Sequence, residues 1–493
     1  MRFYLLVWVV ILKKIRIIRM HTTRKVKSNE YYEKKEFKAE KRKSKGKDSP
    51  HLENYYGESG KSLGFWKGEG AEALGLAGLP VYPNELGRLQ AGFHPKTGKQ
   101  LFVPRKGREG KAVSWHYMDN CFSAVKDFSL LKQLDNKSND YDSIFANAID
   151  WSISKMQSLA YSRKYSQGKT TQQKIKLIVV HFHHETSRGD EKGAIPDMQE
   201  HEHVLVFKQG VLANGKIGAV ENKWMLDNSK LLGTGFRAKL ANGLRKMGYE
   251  IIPHKEKFQE ENEGMKSKSV IANAFGIKGI TDQMRDNFSK RHESILKASE
   301  EAGTDDSVSK GFIAQKGKAA KEDWTKNELM ASWTEAANSL GLTSEYIQTL
   351  KTFDNRSLVD NIKTEHKIIK GSFSHKKNKQ TGIITKTLYE RNLRLKCFEY
   401  EQYTGIDGEK MFKSLVENKL VERQKGFIYK CNINLELLSK FERNLKNRIN
   451  ADYKNVYDKF VGNSEEVRFT VNDLIIDKKV ELPKVESKKK VTT

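Results

Sequence analysis

Three histidines are the first residues whose types and spacing suit chemistry. His201 and His203 stand two apart in the run Asp197-Met-Gln-Glu-His201-Glu-His203-Val-Leu-Val-Phe207. On a strand, the period of two puts both imidazoles on one face and Glu202 on the other. A β-branched run from Ile175 to His183 reads as a second, buried strand, and His184 follows it. Pairing the two strands brings a third imidazole close. Three neutral imidazoles leave coordination positions open, as a Lewis acid acting on a phosphate oxygen requires. His181 and His183 are rival third ligands, and spacing does not choose among the three. The competing reading is an ordinary His-x-His surface pair on an edge strand.

Composition narrows the partner. The chain has 493 residues and a net charge of +27, with 37% hydrophobic and 31% charged residues. A sizeable core can form, and the excess of Lys and Arg fits a polyanion, because cations that neutralise phosphates release condensed counterions. Lysine-rich coding bias is the alternative. Cys121, Cys397 and Cys431 are scattered and odd in number. They suggest neither a disulfide framework nor a Cys-x-x-Cys metal site, and a reducing compartment is expected.

The elements that must position the histidines read as follows. Ile149, Ile153, Met156 and Ala160 predict a helix over 144–165. Phe236, Leu240, Leu244 and Met247 mark another, which Gly248 can end, and 282–299 a third. Thr325 and Glu328 predict a capping box for a helix with Leu329, Trp333 and Leu340 on one face and Gly341 as its stop. Residues 345–385 are polar and read as connector. Residues 387–450 suggest helices around a hairpin, Leu420–Val421 to Phe427–Tyr429. Lys34 to Lys47 is a basic run of the kind that forms solvated loops. At the N-terminus, an apolar run from Phe3 to Leu12 is followed by Lys13, Lys14, Arg16 and Arg19. It is short for a membrane span and patterned wrongly for a signal peptide. Residues 1–19 are therefore read as a doubtful extension before a start at Met20, with a short membrane-associating segment as the alternative.

The histidine segments resemble those of the MobF (TrwC-type) conjugative relaxases, of the HUH endonuclease class. That family carries His-Asp-Thr-Ser-Arg, then Asp-Pro-Gln-Leu-His-Thr-His before an apolar strand. Here His184-Glu-Thr-Ser-Arg188 and Asp197-Met-Gln-Glu-His201-Glu-His203 correspond, with Met198 where Pro is usual. The intervening loop is longer by about six residues, which a surface loop tolerates. Trp66 to Leu76, Asp119 to Leu131, Phe236 to Tyr249 and Phe288 to Arg291 also resemble family segments in the same order. The resemblance covers roughly 29–300, with a weaker continuation to about 340.

The resemblance implies that His184, His201 and His203 hold a divalent metal, Mg²⁺ or Mn²⁺, with Zn²⁺ as an alternative. It implies that tyrosines near the N-terminus attack the DNA. Tyr31 and Tyr32 resemble the first-cut nucleophiles, and Tyr55 and Tyr56 the second. Asp119 matches the acidic residue that orients a ligand histidine or takes the tyrosine proton. Gly57-Glu-Ser-Gly60-Lys61-Ser62 is a decoy for a phosphate-binding loop, because the spacing would need Gly where Tyr55 stands.

The expected fold class is α+β: a central antiparallel sheet flanked by helices, then a mostly helical, winged-helix-like C-terminal region. The expected divisions are the extension 1–19, a relaxase domain 20–300, a helical connector 301–385, a winged-helix-like domain 386–461 and a charged tail 462–493. The function implied is nicking of one strand at an origin of transfer, in the bacterial cytoplasm, with export alongside the DNA. Expected partners are single-stranded or hairpin DNA, a separate helicase, and coupling or accessory proteins, without a stable membrane span. A rolling-circle replication initiator and a non-catalytic DNA-binding regulator are the alternatives.

Overall fold

The computed structural model describes residues 21–26, 64–82, 84–104, 116–135, 138–187, 189, 194–253, 275–303, 313, 324–351, 368–369, 371–377, 384–424 and 426–431. The extension 1–19, the basic run 34–47, Tyr31, Tyr32, Tyr55, Tyr56 and the tail 462–493 lie outside them. The chain divides into two compact units, residues 1–357 with 401–405, and residues 358–400 with 406–493.

The first unit opens with β1 (His21–Val26) and β2 (Phe65–Lys67), then the short helices α1 (Glu69–Ala73) and α2 (Glu85–Gln90). β3 (Tyr117–Ser123) leads into α3 (Lys126–Leu134) and α4 (Ser138–Leu159). β4 (Tyr161–Ser166), β5 (Lys169–Thr186), β6 (Met198–Leu212) and β7 (Ile217–Ala219) follow. After them come α5 (Lys223–Asp227), α6 (Ser229–Lys246), the pair β8 (Ile251–Pro253) and β9 (Phe275–Ile277), and α7 (Asp282–Asn287), α8 (Lys290–Glu301), α9 (Lys326–Ser339) and α10 (Ser344–Thr349).

Seven strands form one antiparallel sheet, ordered β1-β3-β6-β5-β2, with β4 against β5 and β7 against β6. Its two faces bury different cores, because alternate residues of each strand point opposite ways. Met118, Phe122, Val179, Val204 and Val206 pack with Phe128 of α3, Phe145 of α4 and Phe236 of α6. Tyr117, Val180, Phe182, Leu205 and Phe207 pack with Trp66, Ala71 of α1 and Leu86 of α2. The Gly-rich stretch at 66–76 has a steric reason. Gly68 has φ +90°, and a Cβ on Gly70 would meet the Leu177 carbonyl oxygen at 2.7 Å. Only glycine lets α1 lie this close to β5.

Two sequence expectations change here. The helix expected over 144–165 stops at Leu159, and Tyr161–Ser166 turns back as β4. Gln167 and Gly168, at φ +50° and +73°, make a two-residue hairpin of the type whose twist matches paired strands. β5 consequently starts at Lys169, six residues before its apolar part. The helix expected over 282–299 is two, α7 and α8, and buried Phe288 lies at the break. The capping box at Thr325 and Glu328 forms as expected.

The second unit has β10 (Phe373–Lys377), β11 (Ile384–Tyr389), α11 (Glu390–Thr404), α12 (Gly408–Glu417), β12 (Val421–Arg423) and β13 (Ile428–Cys431). The expected hairpin is present, its turn closed by Gly426 at φ +59°. β10 and the first two residues of β11 lie in the polar stretch read as connector, and the two strands extend the hairpin to four, β10-β11-β13-β12. Leu388, Leu393, Phe412, Leu415, Val421 and Tyr429 form the core of this unit. Among the described residues, no helix is long and apolar enough to cross a membrane.

Candidate metal centre

Cross-strand register chooses the third histidine. In the β5–β6 ladder His184 lies opposite His201, and Phe182 opposite His203, whereas His183 lies opposite Glu202. Residues facing each other across a ladder share a face. His184, His201 and His203 therefore project from one face, and His181 and His183 from the other. The three ring centroids are 5.0, 5.3 and 5.4 Å apart. One nitrogen from each ring lies within 4.8 Å of the other two. His184 Nδ1 is 3.3 Å from His201 Nε2.

The surroundings fix which nitrogens point inward. β3 pairs with β6 on one side and β1 on the other, so Asp119 sits between Arg24 and the His203 strand. His203 donates from Nδ1 to Asp119 Oδ1 at 2.9 Å. Arg24 donates to Asp119 Oδ2 from Nε at 2.8 Å and from a terminal guanidinium nitrogen at 2.7 Å. Asp119 is 1% exposed, so its charge is buried between these two partners. His201 donates from Nδ1 to the Gln199 carbonyl at 2.9 Å. With Nδ1 protonated in both rings, each Nε2 keeps its lone pair for a metal. Burial and the neighbouring His184 and His203 hold the His201 imidazole well below its usual pKa, so this ring is neutral. A convergent set of neutral nitrogens with a carboxylate orienting one of them fits a divalent cation.

Cys121 lies opposite His203 in the β3–β6 ladder. Burial, with the nearby Asp119 charge, pushes its thiol up to about 12, so without a metal it stays protonated at neutral pH.

The opposite face of the same strands holds a second polar cluster. His181 Nδ1 bonds Glu202 at 2.5 Å, and His183 Nδ1 bonds the other Glu202 oxygen at 3.0 Å. His183 Nε2 reaches Glu200 at 3.0 Å. From α3, Lys132 donates to Glu200 at 2.9 Å and to Glu185 at 3.1 Å, and it also pairs with Asp142 at 2.8 Å. Gln133 donates to the remaining Glu200 oxygen at 2.7 Å. Burial lowers the His183 pKa, but hydrogen bonds and charge from Glu200 and Glu202 outweigh it and raise the ring to about 10. His183, Glu185 and Glu200 also have ligand atoms within 4.8 Å of one another. The Lys132 ammonium supplies the cation there.

The structure thus brings together Asp119, His184, His201 and His203, while the four tyrosines lie outside the described residues. Sequence reasoning missed Arg24 and Lys132. Neither carries a local signal, since each reaches its partner through tertiary pairing, of β1 with β3 and of α3 with the sheet.

The family model described as TrwC relaxase matches residues 25–340, well over half of the chain. No curated protein sequence matches. Among solved structures, the chain is similar to the conjugative relaxase TrwC in complex with oriT DNA, in a metal-bound and a copper-bound form. Each aligns at 23% identity with a TM-score of 0.51, covering 65% of this chain and 98% of the solved chain. At that identity the likeness speaks for the fold: the antiparallel sheet with helices on its faces. The matched family segment spans β2 to β9 and contains Asp119, His184, His201 and His203, and the chain belongs to the TrwC relaxase family.

Proposed function

We propose that this relaxase nicks one DNA strand at an origin of transfer by metal-assisted transesterification and later rejoins it. The observation that carries the reading is the convergence of three imidazoles beside a His203 oriented by buried Asp119. A divalent cation held by His184, His201 and His203 would polarise the scissile phosphate and offset charge developing on its oxygens. Mn²⁺ or Mg²⁺ is the expected ion, with Zn²⁺, which suits an all-imidazole set, as the alternative. Asp119 fixes the His203 ring. With Oδ1 accepting from His203 and Oδ2 from Arg24, orientation is the role its hydrogen bonds support over acceptance of the tyrosine proton.

Tyr31 or Tyr32 is the nucleophile of the first cut. The phenol oxygen bonds to phosphorus, the bond from phosphorus to the 3′ oxygen breaks, and that oxygen leaves as a 3′ hydroxyl. Reversal restores the phosphodiester and the phenol. Free tyrosine has a pKa near 10, so cationic surroundings must favour its ionised form. Tyr55 or Tyr56 serves a second cut or strand transfer. The substrate is single-stranded or hairpin DNA, in keeping with the oriT DNA bound by TrwC. A separate helicase, coupling proteins, a cytoplasmic site of action and export with the attached strand belong to the same reading.

The test is to incubate the full chain with single-stranded origin oligonucleotides and Mn²⁺, and to map the peptide in any denaturant-resistant adduct. Tyr31→Phe with Tyr32→Phe is expected to eliminate the first-cut adduct, and Tyr55→Phe with Tyr56→Phe to spare it. DNA on Tyr55 or Tyr56 in a single turnover reverses the order of use. DNA on no tyrosine overturns the reading.

A further inference from the structure

Histidines 181, 183 and 184 compete in the sequence for one ligand position, and the fold must choose among them. The β5–β6 ladder keeps one register from Ile175 to Leu177 and another from Val179 to His184. Its register shifts between Leu177 and Val179, and again between His184 and Thr186. The ligand-bearing end of β5 therefore lies between two changes of register. A slip of one residue would send every side chain to the other face, and present His183 in place of His184.

Glu202 stands within this short stretch, on the face away from the metal ligands. Its two carboxylate oxygens hold two residues of β5, His181 at 2.5 Å and His183 at 3.0 Å. Glu200 holds the second nitrogen of His183 at 3.0 Å and is itself held by Lys132 and Gln133 of α3. Glu200 is 0% and Glu202 3% exposed. Burying two carboxylates costs several kcal/mol per ion, and two apolar side chains would fill the same space at no such cost. The best-attested return for a buried ionic group is specification of register.

We infer that Glu202, supported by Glu200, is a positioning residue that holds His181 and His183 on the face covered by α3 and α4, so that His184 meets His201 and His203. This rests on the metal-site reading above. It differs from the role of Asp119, which orients one ligand ring through a direct hydrogen bond. Glu202 touches no metal ligand side chain and acts through strand register.

The test measures Mn²⁺ binding to the full chain by calorimetry, below the melting temperature of each variant, with binding of a single-stranded oligonucleotide in chelator as the control. Glu202→Leu is expected to weaken Mn²⁺ binding about 10- to 100-fold, the range seen when supporting groups of a metal site are lost, and to leave DNA binding in chelator within two-fold. Glu202→Gln retains one acceptor oxygen and is expected to weaken Mn²⁺ binding by less. A lower melting temperature with unchanged Mn²⁺ affinity in Glu202→Leu would mean a purely structural role and overturns the inference. Should Glu202→Leu fail to fold, Glu202→Gln decides: unchanged affinity overturns the inference, and weakened affinity with DNA binding intact supports it. Failure of the unaltered chain to bind Mn²⁺ overturns the metal reading and the inference with it.

Discussion

On one face of β5 and β6, His184, His201 and His203 meet a single carboxylate, Asp119, whose second oxygen is occupied by Arg24. On the other face His181 and His183 meet Glu200 and Glu202, and Lys132 completes the set. The residue types are nearly the same, and the outcome is opposite. Behind the sheet, carboxylates and cations alternate, so the hydrogen-bonding groups satisfy one another. In front, imidazoles outnumber carboxylates, and one nitrogen of each ring converges with the other two. A buried polar cluster is thus available for a cation when its donors and acceptors do not match, and inert when they do. Proximity of ligand types alone does not decide this, because both clusters have ligand atoms within 4.8 Å of one another.

The sharpest way to break the comparison is to remove a front-face imidazole. His184→Ala, His201→Ala or His203→Ala should each abolish nicking of an origin oligonucleotide, with DNA binding retained in part. A gel-based single-turnover assay checks this, and full cleavage by any of the three would remove that residue from the ligand set. A smaller effect is expected at Asp119→Asn, which nearly preserves shape but leaves one oxygen to serve both His203 and Arg24. Metal affinity should fall about 10- to 100-fold, read by calorimetry with Mn²⁺. An unchanged affinity would deny Asp119 its orienting role.

Lys132→Ala should act first on stability, and on metal binding only through the Glu200 that supports Glu202. It strips the cation from Glu200 and Glu185, and the side chains of Lys132 and Glu200 are 3% and 0% exposed. Breaking a buried pair by removing one partner costs about 3–5 kcal/mol. Lys132→Met combined with Glu200→Leu should recover most of that loss, since an apolar pair of similar volume is often neutral. Chemical denaturation checks both, and equal stability of Lys132→Ala and the unaltered chain would show that the ion pair contributes nothing. The least specific effect is that of salt. The logarithm of the DNA affinity should fall with that of salt concentration by about 0.7 per phosphate contact, and a flat response would contradict phosphate tracking by this basic chain.

Much of the site was legible because a strand has a fixed period. His201 and His203 on one face, and Glu202 on the other, follow from alternation alone. The third ligand did not, because His181, His183 and His184 differ only in parity, and parity has meaning only once β5 and β6 are in register. Lys132 and Arg24 were hidden for a related reason. Each belongs to an element that reads locally as ordinary polar surface, and each finds its carboxylate across a gap of many residues. β4 was misread because Ala160 continues the apolar spacing of the preceding helix, while the turn signal at Gln167–Gly168 lies beyond it. β10 and β11 were hidden in a polar stretch because Phe373, Ile384 and Leu388 are too sparse to stand out.

The central claim is that the front face works through a bound divalent cation. The most direct measurement follows formation of the denaturant-resistant protein–DNA adduct by the unaltered full chain in a single turnover, first with excess chelator and then after Mn²⁺ is restored. No adduct is expected in chelator, with recovery on adding Mn²⁺ and no recovery in His203→Ala. Adduct formation at the same rate in chelator, or equal recovery by His203→Ala, would contradict the central claim.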